Sequence, residues 1–297
     1  MLKTIREIIA YRQMIVGLVR KDLRGRYKGS VLGFLWTFIN PLLQLVIYSF
    51  VFSTIWNIRP GTEGLVVPYY HFLAVALIPW VFISAAVTGG STAVLSQKDL
   101  VKKIYFPREV LPISYVSSCF FNMIFSFVPV FIIVYVSCYL NRDIVVVVDN
   151  VERSVEYPTV AGLCCLPVVM LVEYILALGI SMISSAVTVY FRDLEHILGI
   201  ICMAWMYATP IVYTPATLNK LANPEQGDPS KALQVVHFLI TKVNPMTPII
   251  QAYRDILCDA KVPHMTTLVS ATLISLVFLF IGLILFGRLK KHFAEEL

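Results

Sequence analysis

Six long apolar stretches, joined by connectors of very unequal charge, constrain this chain more than any other feature of it. They cover residues 31–57, 68–95, 110–140, 159–190, 197–213 and 265–287. About 18 or more apolar residues are needed to cross a hydrocarbon core of roughly 30 Å, and only the fifth stretch is short by that measure. Charged residues make up 14% of the chain and the mean hydropathy is +0.77, whereas a soluble domain is about 25% charged. The expected fold is an all-α membrane protein with six transmembrane helices.

The basic residues give that bundle a direction. Of the 24 Lys and Arg residues, sixteen lie before Ser30, within 98–108, at Arg192 and within 288–291, and eight lie in the remaining connectors. Cytoplasmic loops carry the excess of Lys and Arg, so both termini are expected in the cytoplasm of a bacterial inner-membrane protein. The start does not read as a signal peptide, because Arg20, Lys21, Arg24, Arg26 and Lys28 fall where a cleavage site would stand.

Residues 1–30 are too polar to span. Ile5, Ile8, Ile9, Ile15, Val16, Val19 and Leu23 recur at helical spacing, which predicts an amphipathic helix lying in the cytoplasmic interface. Arg20, Arg24, Arg26 and Lys28 would then meet lipid phosphates. Arg12 interrupts the stripe, and the plainer alternative is a solvated basic tail. The remaining 31–297 read as one membrane domain.

Two of its connectors are more than turns. In 96–109, Lys98, Asp99, Lys102 and Lys103 alternate with Leu100, Val101 and Ile104 ahead of Tyr105 and Pro107. That pattern predicts a short helix ended by proline, suited to docking in a groove on a soluble partner; an interfacial anchor is the alternative. In 214–263, a polar start gives way to an apolar stretch broken by Lys242, Asn244-Pro245, Pro248 and Arg254-Asp255. A seventh span would bury two prolines and an ion pair, so two re-entrant half-helices in the outer leaflet are expected. Between 141 and 157, the run Ile144 to Val148 is expected to pair with 151–155 as a hairpin across Asp149-Asn150.

Little here reads as catalytic. The six cysteines lack metal-ligand spacing, and no metal site is expected. Glu173 is the one acid deep in a span, either a proton-coupling group or a packed, hydrogen-bonded residue. Arg192-Asp193 is expected to clasp two helix ends. Aromatics run the length of the first stretch, from Phe34 to Trp56, and stack well on sugar rings; the plainer reading of Trp56, Tyr69, Tyr70 and Trp80 is interfacial anchoring. No phosphate-binding loop of the G-x-x-x-x-G-K-[ST] form occurs, so any ATP-driven step belongs to another polypeptide.

The ordered motifs resemble the permease subunits of ABC exporters that move polysaccharides, namely the O-antigen, teichoic-acid and capsule exporters. They are Arg26-Tyr27-Lys28-Gly29-Ser30 with Leu32-Gly33-Phe34-Leu35-Trp36 and Asn40-Pro41, then Leu77-Ile78-Pro79-Trp80. The connector from Lys103 to Pro112, Arg192-Asp193-Leu194 and Thr209-Pro210-Ile211-Val212-Tyr213 follow. Last come Asn244-Pro245-Met246-Thr247-Pro248 and Tyr253-Arg254-Asp255. The resemblance implies that 98–105 is a coupling helix seated on an ATPase through Lys98, Asp99, Leu100, Lys102, Lys103 and Tyr105. It implies a homodimer of permeases with two ATPase copies, ATP and Mg on the partner subunit, no cofactor on this chain, and lipid-linked polysaccharide as substrate. Membrane lipids are further partners, and no nucleic acid is. Phe34, Trp36, Phe38, Tyr48, Phe52 and Trp56, with Trp205, Tyr207 and Tyr213, are implied channel lining. The rivals are an exporter of a small lipid or drug, a membrane-embedded transferase acting on a lipid carrier, and a proton-coupled transporter built on Glu173.

Overall fold

The structure, a computed structural model, describes residues 2–26, 28–55, 65–148, 151–214 and 231–296. Helices α1 (Leu2–Ala10) and α2 (Arg12–Arg26) precede α3 (Trp36–Ser49), which a 3-10 turn introduces and a π-helical turn over Phe50–Ile55 extends. Then come α4 (Tyr69–Ser91), α5 (Lys98–Lys103), α6 (Val110–Asn141), the strands β1 (Val145–Val148) and β2 (Val151–Ser154), α7 (Val160–Tyr190) and α8 (Leu194–Tyr207). The last part holds α9 (Lys231–Phe238), α10 (Met246–Leu257), α11 (Met265–Leu289) and the final turn α12 (Phe293–Glu296).

Among the described residues five helices are long and apolar enough to cross a membrane: Gly33–Ile55, Tyr69–Ser91, Val110–Asn141, Val160–Tyr190 and Met265–His292. The expected sixth, 197–213, is displaced and shortened. Its helix α8 starts at Leu194, stops at Tyr207 and has 14 residues, about 21 Å at 1.5 Å per residue. The cause is local: Pro210 biases Thr209 away from helical geometry, and the chain turns at Ala208.

Helix α4 is the axis of the packing. It is apolar on every side, as a helix surrounded by others must be, and 72% of its apolar window is buried, against 11% for Gly33–Ile55. Leu73, Val75, Ala76, Ile83 and Ala86 are fully buried along it, with α3, α6, α7, α8 and α10 around them. The most extensive helix pair is α7 with α11, where Gly179 and Gly282 face each other. A Cβ on Gly179 would lie 2.5 Å from the backbone of Phe278 and Leu279, so only glycine permits this approach, as at other small-residue crossings in membranes.

A second apolar cluster closes the end of the bundle where the chain starts and finishes. Val94, Val101, Phe106, Val110, Leu111, Met182, Ala186, Val189, Phe286 and Phe293 form it, with Tyr11, Met14, Ile15 and Leu18 packed against it. This corrects the expectation that the N-terminal stripe lies wholly against acyl chains. Ile15 faces this protein cluster and Val19 is buried, whereas Ile9 and Val16 stay exposed. The split runs along each helix, because neighbouring positions such as Ile15 and Val16 lie about 100° apart and only one of them faces the cluster.

The expected hairpin forms, antiparallel with Val145 opposite Ser154 and Val148 opposite Val151; its turn, Asp149-Asn150, lies outside the described residues. The stretch before α11 folds as two helices, α9 and α10, parted at Asn244-Pro245.

Candidate functional site

The connector between α4 and α6 builds the most distinctive surface. Helix α5 spans only six residues, with Asp99 in its first turn and Lys102 and Lys103 in its last, each favourable against the helix dipole. It ends at an extended Ile104, three residues before Pro107. Val101 turns inward and is buried, while Lys98, Asp99, Lys102 and Lys103 are exposed and Leu100 is half-buried. At the end of the helix Tyr105 is 95% exposed and its neighbour Phe106 is 5% exposed. Phe106 thus pins the connector while Tyr105 projects from it. A groove of about 730 Å³ runs beside this helix, lined by Glu7, Tyr11, Lys102, Arg108, Lys290 and Lys291 among others.

Residues the sequence left without a role hold this connector in place. Lys290 Nζ lies 2.6 Å from Glu109 Oε1, and Glu109 is 1% exposed. Arg108 donates to the Lys290 carbonyl oxygen, and its guanidinium sits 5.8 Å from the Phe293 ring centroid. Tyr190, at the end of α7, donates to the Leu289 carbonyl oxygen at 2.9 Å. The one available signal was an acid, Glu109, amid a basic connector.

The basic residues of α2 divide. Arg20 and Arg24, with Lys28 just beyond the helix, are exposed, but Arg26 turns toward α6. Its Nε donates to Asp22 at 2.9 Å, its Nη2 donates to Ser118 Oγ at 3.2 Å, and its guanidinium is 5.3 Å from the Tyr115 ring centroid. Asp22 in turn accepts from Ser118. The Arg192–Asp193 clasp does not form. Both side chains are exposed and neither makes an ion pair among the described residues. Helix α8 begins one residue later, and the bond between Tyr190 and Leu289 ties the end of α7 to that of α11 rather than to α8.

The aromatics expected to line a channel also divide. Phe34, Trp36 and Tyr207 are exposed on the bundle surface, and Phe38 and Tyr48 are half-buried. Phe52 packs 5.8 Å from Tyr69. Trp205 meets Trp80 edge-on at 5.5 Å, and the Tyr213 hydroxyl is buried. Trp56 lies outside the described residues.

The opposite end is tied by polar side chains. Asn244 Oδ1 accepts from Trp205 Nε1 at 2.9 Å and from the Met246 N–H at 3.0 Å, and its Nδ2 donates to the Ala208 carbonyl oxygen at 2.8 Å and to Thr209 Oγ1 at 2.9 Å. Glu173, fully buried, accepts from the Tyr253 hydroxyl at 2.7 Å. Arg254 and Asp255 do not pair with each other. Arg254 stacks 3.6 Å from the Phe72 centroid and donates to the Ile211 carbonyl oxygen, while Asp255 accepts from Gln251. Just beyond α10, burial pushes the Asp259 carboxyl above its usual range.

A multi-pass helical membrane protein with a basic, helix-bearing connector at one end is the class that this fold and surface define. The chain belongs to the ABC-2 type transporter membrane family, whose pattern residues 13–223 match. It is 29% identical over 297 residues, all of both chains, to an O-antigen export system permease protein, RfbA, of Myxococcus xanthus. Two proteins of that name from Klebsiella pneumoniae are 28% and 27% identical, each aligned over 96% of this chain and 95% of its own length.

Proposed function

We propose that this chain is the transmembrane subunit of an ATP-driven exporter that carries lipid-linked polysaccharide across the bacterial inner membrane. The observation that carries the reading is the end-to-end similarity to O-antigen export permeases, joined to a connector helix whose polar face is exposed, with no ion pair among the described residues. Two copies pair, with the sparsely buried Gly33–Ile55 segment at or near their interface. Two ATPase subunits supply ATP hydrolysis with Mg, and both termini of the permease lie in the cytoplasm. Helix α5 seats on the ATPase through Lys98, Asp99, Leu100, Lys102, Lys103 and Tyr105. Arg20, Arg24 and Lys28 meet lipid phosphates, and α9 with α10 re-enters the outer leaflet.

In this scheme ATP binding closes the ATPase pair, α5 is displaced, and the passage between the permeases changes width. Exposed aromatics such as Phe34, Trp36 and Tyr207 offer a glycan many weak contacts, and conduction needs contacts weak enough to leave. The test is a mild-detergent pull-down of the tagged chain from its native membranes. A stoichiometric Walker-motif ATPase is expected, and it is lost when Lys102→Glu and Lys103→Glu are combined. Recovery of the chain alone, or retention of the ATPase by the doubly reversed variant, overturns the assignment.

A further inference from the structure

Helix α5 leads through residues 104–109 directly into α6, and its buried Val101 belongs to the apolar cluster that holds Met182 and Phe286. The connector after it is further tied by noncovalent bonds to a segment about 180 positions on. Lys290 pairs with Glu109 at 2.6 Å, and Arg108 donates to the Lys290 carbonyl oxygen and lies over Phe293, while Tyr190 of α7 donates to Leu289 and so ties the same segment to α7. Phe106, Phe286 and Phe293 are buried together beneath these bonds.

The electrostatics of this joint are self-consistent. Glu109 occupies the N-cap position of α6 and Lys290 the C-cap position of α11, each carrying the charge that its helix terminus favours. Glu109 is almost fully buried, and its Oε2 has no partner among the described residues. Among the described residues Lys290 is the one cation paired with this desolvated carboxylate, and removal of one member of such a pair leaves the other stranded. Helix α11 is in turn locked to α7 at Gly179 and Gly282.

Resting on the proposed docking of α5, we infer that the Arg108–Glu109–Lys290 joint transmits the displacement of α5 into the α7–α11 pair. These three are positioning residues of the transport cycle. Without the joint, α5 would be linked to the α7–α11 pair only through the apolar packing of Val101 and Phe106. A displacement is passed on through contiguous packed and hydrogen-bonded contacts, and this joint supplies one between the connector and the α7–α11 pair.

The experiment uses the permease with its ATPase in liposomes loaded with lipid-linked glycan, and reads complex recovery, ATP hydrolysis and glycan exported per ATP. Glu109→Gln, Lys290→Met and the exchange Glu109→Lys with Lys290→Glu are compared. Each is expected to assemble with the ATPase and hydrolyse ATP. The single variants should lose export per ATP on the order of 5- to 150-fold, the usual span of coupling between sites, and the exchange should recover much of it. Lys290→Met, at a partly exposed side chain, gives the same reading should Glu109→Gln fail to assemble. Unchanged export per ATP in assembled single variants, or an exchange no better than either single variant, overturns the inference. The charge reversal of Lys102 and Lys103 tests the docking by itself, so loss of that reading is told apart from loss of this one.

Discussion

Replacing Asn244 by alanine is expected to destabilise the bundle by about 3 kcal/mol. The substitution removes four hydrogen bonds and leaves the Trp205 Nε1–H and the Met246 N–H without an acceptor. Orphaning a buried donor costs roughly 1–3 kcal/mol, and hydrogen bonds within membrane proteins contribute about 0.6 kcal/mol each. Two orphans come to about 2–6 kcal/mol and four bonds to about 2.4 kcal/mol, so the expected figure sits in the lower part of the first range and close to the second. The Trp205 contribution can be isolated. In a Trp205→Phe background one orphan no longer exists, so Asn244→Ala should cost about 1 kcal/mol less there, the usual net value of one hydrogen bond. Unfolding titrations with SDS in mixed micelles, followed by circular dichroism, measure all four corners of this cycle. An Asn244→Ala protein within about 0.5 kcal/mol of the parent, a margin ordinary for innocuous substitutions, would refute the claim that this one amide secures the break between α9 and α10. A cycle with no coupling would sever Trp205 from it.

Two further outcomes test the packing. Gly179→Ala should destabilise by at least about 1–3 kcal/mol in the same titration, the cost of overpacking a core, because its Cβ would meet backbone atoms 2.5 Å away. Gly17→Ala, with nothing within 4 Å of its Cβ and a place in α2, should instead stabilise by about 1 kcal/mol; equal signs would sink the argument. Glu173→Gln keeps an acceptor for the Tyr253 hydroxyl, so export in reconstituted vesicles should proceed at the parental rate. A loss beyond about tenfold, or 1.4 kcal/mol, would point back to proton coupling through Glu173.

What the sequence disclosed, and what it hid, follows from the range of the forces involved. Helix α5 was legible because its alternation of charged and apolar residues, its lysines and the following proline are all local. So was the division of α9 from α10, written in Asn244-Pro245, and so was the hairpin, written in a run of valines. The inward turn of Arg26 was not legible: a base on an amphipathic helix reads as lipid-facing until Ser118, 92 positions away, is placed beside it. The pair of Glu109 and Lys290 spans 181 positions, and charge counting assigned Lys290 only to topology. Aromatic content likewise did not say which face a ring occupies. Trp205 and Phe52 turned inward because Asn244 and Tyr69 meet them there. Helix α8 proved shorter than its apolar stretch because Thr209-Pro210 ends it, although Ile211 and Val212 beyond remain buried.

The unequal burial of α4 and the Gly33–Ile55 segment gives the subunit an uneven mechanical compliance. The α4 side is a stiff block, clamped on all faces, and strain entering it is shared across many contacts. The Gly33–Ile55 segment resembles a hinged slat, with few neighbours of its own chain to resist a tilt. In the proposed pair of subunits two such slats stand face to face, so a modest force that reaches them through the neighbouring helices widens or narrows the gap between them while each core keeps its packing. An aperture that yields in this way can admit repeating units of differing girth, because its width is set by the load on the wall rather than by a rigid template.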